Sequence, residues 1–279
     1  VAIGAMSMDV GDMTVFLWAL REREKIMDIF DLVCGARFTT SYARIGGVGS
    51  DMSSEAIAGI RAFIDQFDDK MDEIEKLLNG NRIFIERLEG VGVIEKQDAI
   101  DFGLTGPNLR ASGCEFDIRR AMPYMFYSEV DFKVAVYNEG DSLARYFVRA
   151  DEIRSSALII RQCLEKIPQG EFMLNSPKKV LPRKTEIYTR MEELIHDFMI
   201  VNFGINPPVG EVYSAVENPK GELGFYIVSQ GEGHPWKMKI RSPSFCNLQA
   251  LPHLLKGRFI SDVVAIIGSI DPIMGEADK

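Results

Sequence analysis

Between Ser53 and Leu78 an apolar residue returns every three or four positions: Ile57, Ile60, Ile64, Phe67, Met71, Ile74 and Leu78. That spacing lines them along one face of a helix and leaves the intervening Asp and Glu residues on the solvated face. Ser53 or Ser54 can cap its start, and Asn79-Gly80 ends it. Three further segments read as helices. One long helix is expected from about Ala5 to Val33, with Met6, Asp9, Met13, Phe16 and Leu20 sharing a face and Gly35 as its stop. A third runs from about Ser142 to Ile167, ended by Pro168 and Gly170, and a fourth from Lys184 to Phe203, ended by Gly204. Residues 81–140 are expected to hold short helices and loops. Ser41 to Gly49 reads as a glycine-rich loop, and Pro177 and Pro182 mark another.

The pattern then changes. Glu211–Glu217, Gly224–Ser229 and Trp236–Arg241 have the texture of strands separated by short Gly, Pro and Asn turns, which predicts an antiparallel meander over 209–243. Helix returns near Asn247–Leu255 and Ile260–Ile267. The expected fold is α+β, mainly α: one domain with a helical core from 1–205 and 245–279 and a small sheet inserted late.

Composition narrows the function. Hydrophobic residues at 46% supply a core and exclude a disordered chain, and a net charge of −9 argues against a stand-alone nucleic-acid binder. No uncharged apolar stretch reaches the roughly eighteen residues of a membrane span. Cys34, Cys114, Cys163 and Cys246 are far apart and form no CxxC pair, so they read as reduced thiols of an intracellular protein. His196, His234 and His253 are scattered, no zinc or calcium motif is present, and Gly221-Glu222-Leu223-Gly224 is a hairpin turn rather than a phosphate loop.

Few residues stand out for chemistry. Asp9 falls within the apolar stripe of the first helix, where burial would raise its pKa and fit it for proton transfer; alternatively it sits at a helix edge beside Asp12, facing water or an arginine. Arg44, next to Gly46-Gly47, could reach a buried partner or lie on a surface loop. Arg110, Arg119 and Arg120 could bind an anion or a neighbouring subunit, or form structural ion pairs with Glu115, Asp117 or the acidic helices. Met6, Met8, Met13 and Met27 are core residues or line an adaptable apolar cavity.

The tail Asp271-Pro272-Ile273-Met274-Gly275-Glu276-Ala277-Asp278-Lys279 resembles that of nickel-iron hydrogenase large subunits, whose Asp-Pro-Cys-x-x-Cys-x-x-His ending supplies thiolates to the metals. Ile273 and Glu276 stand at the cysteine positions and Lys279 at the histidine, and neither an isoleucine nor a carboxylate can replace a soft thiolate. Met8-Asp9-Val10-Gly11-Asp12-Met13-Thr14, Arg44-Ile45-Gly46-Gly47, Leu109-Arg110-Ala111-Ser112-Gly113, Phe116-Asp117-Ile118-Arg119-Arg120, Pro219-Lys220-Gly221-Glu222 and Asp262-Val263-Val264-Ala265-Ile266-Ile267-Gly268 extend the likeness along the chain. Together they resemble the 49 kDa-type (D) quinone-site subunits of respiratory complex I.

That resemblance implies a hydrogenase-like helical core and no cofactor or metal of the chain's own. It implies a small partner subunit carrying an iron-sulfur cluster, a quinone as substrate between the two, and NADH bound at a distant subunit. The 30 kDa-type (C) subunit and a membrane-arm subunit are the other implied partners. The implied location is peripheral, on the cytoplasmic side of the inner cell membrane. Asp9 matches an aspartate of the redox-linked proton relay. Val1, Phe16, Asp271 and Ile273 match positions along the quinone chamber, with Asp9 and Phe16 expected on one side of one helix, and Arg44 matches an arginine near the subunit junction. The chain opens at Val1 inside a helical pattern, so a fragment lacking the family's β-rich N-terminal region, and inactive alone, is expected. Ile45, Phe116, Asp12 and Lys279 depart from the family's usual proline, tryptophan, alanine and arginine. The alternatives are a large subunit or scaffold of a related hydrogenase-like, ferredoxin- or deazaflavin-dependent membrane complex.

Overall fold

The computed structural model describes residues 1–174 and 179–278. Pro177 and Lys279 lie outside the described residues. The helices are α1 (Ala2–Asp9), α2 (Met13–Cys34), α3 (Ser54–Asp65), α4 (Phe67–Asn79), α5 (Arg82–Leu88), α6 (Lys96–Asp101), α7 (Pro107–Arg110) and α8 (Ile118–Ala121), then α9 (Ser142–Glu165), α10 (Lys184–Ile187), α11 (Met191–Phe203), α12 (Pro243–Leu248), α13 (Leu251–Leu255), α14 (Asp262–Ile270) and α15 (Met274–Ala277). The expected glycine-rich loop closes as a minimal hairpin, β1 (Ala43–Arg44) with β2 (Gly47–Val48), because Gly46 and Gly47 turn the chain sharply. The meander is β3 (Gly210–Asn218), β4 (Gly221–Ser229) and β5 (Lys237–Arg241), antiparallel in the order β3-β4-β5. The chain is thus α+β and mainly α.

Helices with clean periodicity form where expected, but three of the four long ones are broken. The first breaks at Val10-Gly11-Asp12, where Gly11 has φ +104° and the Asp12 carboxylate caps α2 by accepting from the Thr14 amide. A side chain disfavours that φ, so glycine there ends one helix and aspartate starts the next. α1 folds back onto α2: a Cβ on Gly4 would lie 2.9 Å from Ala19 Cβ and 3.0 Å from Phe16 Cα. Met6 is buried, Met13 is exposed, and Asp9 and Phe16 belong to different helices, which corrects the expected single stripe. The Ser53–Leu78 segment is jointed at Gln66, and Ser53 caps α3 through the Ala56 amide. The fourth breaks at Tyr188-Thr189-Arg190.

The core gathers where α1, α2, α4, α5, α9 and α14 meet, with Met6, Val15, Met71, Leu78, Phe84 and Tyr146 buried together and Phe84 edge-on to Tyr146 at 5.2 Å. A second cluster holds Ile94, Leu104, Leu109, Leu254, Ile266 and Ile270. Helix α14 contributes to both, so its C-terminal end emerges from the centre of the fold. Helix α11, by contrast, buries none of its residues fully.

Candidate functional site

The last turn of α14 organises the predicted residues. On one side α1 packs against it, and the Asp9 carboxylate rests on Gly268, where an added Cβ would lie 2.6 Å from Asp9 Oδ2. Asp9 is exposed on its outer face, and among the described residues its carboxylate accepts no hydrogen bond. Loss of water on the face turned to α14 pushes its pKa up.

Past Ile270 the chain turns through Asp271, which adopts the left-handed conformation at φ 56°. Few residues other than Gly, Asn and Asp take this conformation readily. Its carboxylate meets the Lys220 ammonium in a close ion pair. Lys220 is delivered by the β3–β4 hairpin tip. Its amide donates to Asn218 Oδ1 at 3.1 Å, and its carbonyl accepts from Asn247 Nδ2 at 3.1 Å. The tip reaches this depth because two glycines meet backbone to backbone: a Cβ on Gly106 would lie 2.5 Å from Gly221 Cα. Burial, and then the Arg149 guanidinium, pull the Lys220 ammonium down to about 8, and Glu276 opposes them.

Val1 occupies the position before α1 and is 56% exposed. Phe16 is half-buried against Gly4. Ile273 is 51% exposed and donates its amide to Ser244 Oγ at 3.3 Å. Asp9 thus lies at the α1–α14 contact and Asp271 and Ile273 follow the end of α14, whereas Val1 starts α1 at its opposite end and Phe16 sits on α2 beside Gly4, so Asp9 and Phe16 share no helix face. Arg44 does not join them. It sits on the small hairpin, donates to the Ser41 carbonyl at 3.2 Å, and borders a cleft of about 720 Å³ with Phe172, Leu174, Leu181 and Arg183.

Sequence reasoning missed Lys220, Gly268 and the fate of Glu276. The Glu276 carboxylate is buried, accepting from the Ser244 hydroxyl and amide and from Asn218 Nδ2, so this tail position anchors α15 to α12 and the hairpin. The turn Pro219-Lys220-Gly221 carried the one usable signal, a cation beside a glycine at a hairpin tip. Nothing local said what the tip would touch.

The 110–120 arginines are structural. Arg110, 1% exposed, pairs with Glu152 at 2.6 Å and Glu217 at 2.9 Å and lies 3.8 Å from Asp117. Arg119 binds Asp117 at 2.6 Å, and Arg120 stacks over Phe132. Burial alone would raise the Asp117 carboxyl, but Arg119 and Arg110 outweigh it and hold the group below its usual range. Among the described residues no group of three or more His, Cys, Asp and Glu side chains could hold a metal ion, and no helix is long and apolar enough to cross a membrane.

The model of the respiratory-chain NADH dehydrogenase 49 Kd subunit family matches residues 9–279. The chain belongs to that family. It is 59% identical over 278 residues to a D-type subunit of the NADH-quinone oxidoreductase of Chloroherpeton thalassium, covering all of this chain and 63% of that relative. It is 52% identical over 278 residues to the corresponding NADH-quinone oxidoreductase subunit of Salinibacter ruber and 51% over 277 to that of Methylacidiphilum infernorum, covering 99% of this chain in each case and 62% and 66% of those relatives. The chain thus spans somewhat under two thirds of the length of these 49 kDa-family relatives.

Proposed function

We propose that this chain forms part of the quinone site of an NADH:quinone oxidoreductase, next to an iron-sulfur cluster held by a small partner subunit, and that it helps couple electron transfer to proton translocation. The observation that carries the reading is Asp9: a carboxylate with no hydrogen-bond partner among the described residues and a raised pKa, set on the α14 backbone three residues before the Asp271–Lys220 pair. Quinone reduction takes up protons, so a titratable group beside an apolar path is the chemistry required. Val1, Phe16 and Ile273 supply apolar surface at the start of α1, on α2 and past the end of α14. Asp9 passes a proton, while Asp271 and Lys220 hold a fixed dipole at the end of α14.

The chain brings no cofactor of its own in this reading; NADH binds at a distant subunit. The exposed Leu194, Ile195, Phe198 and Val201 of α11 support burial against other subunits, since apolar surface of this kind marks interfaces. The partners are the iron-sulfur subunit, the 30 kDa-type (C) subunit and a membrane-arm subunit, with Arg44 near a junction. The location is peripheral, on the cytoplasmic side of the inner membrane. The hydrogenase-like ancestry suggested by the tail implies no nickel chemistry here, because Ile273 and Glu276 stand where thiolates would be needed.

The test is NADH:quinone reductase activity in membranes carrying the full-length protein with Asp9→Asn, with assembly verified and NADH:ferricyanide activity as the upstream control. Quinone reduction should collapse while ferricyanide reduction persists. Unchanged quinone reduction would remove Asp9 from the relay.

A further inference from the structure

Asp271 owes its place to groups buried behind it. The Ile270 carbonyl, at the C-terminal end of α14, accepts from Asn108 Nδ2 at 3.3 Å and from Arg149 Nη2 at 3.3 Å. Arg149 Nη2 also donates to Asn108 Oδ1 at 3.3 Å, which closes a triangle of three contacts. Arg149 Nη1 is tied to the Arg145 carbonyl at 3.2 Å, one turn back on α9. Both side chains are buried, Asn108 on α7 and Arg149 on α9. A helix ends with carbonyls that lack intrahelical donors, and a cation there meets their partial negative charge. Here one such carbonyl is gripped from two elements, immediately before the residue that takes the left-handed turn.

We infer that Asn108 and Arg149 are positioning residues for Asp271: by clamping the Ile270 carbonyl they fix the turn that presents the Asp271 carboxylate to Lys220. Neither touches the proposed quinone path. The guanidinium fork reaches three acceptors at once, a fixed geometry that a lysine ammonium at the same position cannot reproduce. Loss of either donor loosens the Ile270–Asp271 peptide, whose amide remains bound to the Ile267 carbonyl at 3.1 Å, and weakens the alignment of the carboxylate with Lys220.

The inference rests on the reading of Asp271 as part of the quinone site, and a double-mutant cycle separates the two. In membranes with the assembled full-length complex, kcat and KM for a short-chain ubiquinone are measured for Asp271→Asn, Asn108→Ala and the double variant, with NADH:ferricyanide activity as control. Asp271→Asn should raise KM about tenfold; Asn108→Ala should raise it by a comparable factor with kcat within about twofold, and the double should be no worse than Asp271→Asn alone. Where Asn108→Ala blocks assembly, Arg149→Lys carries the same comparison. An unchanged KM in Asn108→Ala beside a raised one in Asp271→Asn overturns the positioning role, as do losses that simply multiply in the double variant. An unchanged KM in Asp271→Asn overturns the reading of Asp271 itself, and the positioning role falls with it.

Discussion

The Asp9 carboxylate lies directly over Gly268, with room for no atom between them: a Cβ at 268 would stand 2.6 Å from Oδ2. Gly268→Ala should therefore displace the carboxylate and leave α14 helical, since alanine is the better helix former. Quinone reduction in assembled membranes should fall by about tenfold or more, as expected when a reacting group is shifted by a fraction of an ångström to an ångström. Wild-type kinetics in an assembled Gly268→Ala complex would show that the position of Asp9 does not matter.

Asp9 also makes a prediction about stability with a definite sign. Its folded pKa is raised, so the folded chain binds that proton more tightly than the unfolded chain does. The group then contributes most at low pH and weakens the fold as pH rises through its folded pKa. Asp9→Asn should leave the melting temperature unchanged or higher at pH 7, and that advantage should vanish below about pH 4, under the unfolded carboxylate range. A clear drop in Tm at pH 7 would mean that the carboxylate has a stabilising partner.

Arg110 contacts Glu152, Glu217 and Asp117 inside the fold, with Arg119 as the second cation beside Asp117. Removing one partner of a buried ion network leaves uncompensated charge, so Arg110→Met should cost about 3–5 kcal/mol in denaturant unfolding. The Asp117 carboxyl, held low by Arg119 and Arg110 against the effect of burial, stabilises the wild type above its unfolded pKa; that contribution should be lost as pH falls through its lower folded value. A cost near zero for Arg110→Met would mean that the acids find water or protons on their own.

The break between α1 and α2 depends on Gly11 at φ +104° with open space around it. Gly11→Ala meets no steric neighbour, so its cost is the backbone conformation alone, about 1–2 kcal/mol. An unchanged unfolding midpoint would show that the break is set by the Asp12 cap and the packing of Gly4 on α2.

Sequence by itself determined where the main helical segments and the meander lie and what family the chain belongs to. The Ser53–Leu78 stripe, the Ser142 helix and the three-strand meander all follow from local periodicity and turn residues, which act within a few positions of one another. The tail and the distributed motifs were enough to bring Asp9, Asp271 and Ile273 forward. The tertiary structure alone decided that Asp9 and Phe16 lie on different helices, because one glycine with positive φ outweighed a continuous apolar spacing. It alone brought Lys220 to Asp271 across 51 residues, and Arg149 and Asn108 to Ile270 across still longer separations. Such contacts depend on backbones approaching where glycines permit it and on buried polar groups finding partners from distant segments, neither of which leaves a periodic trace in the chain.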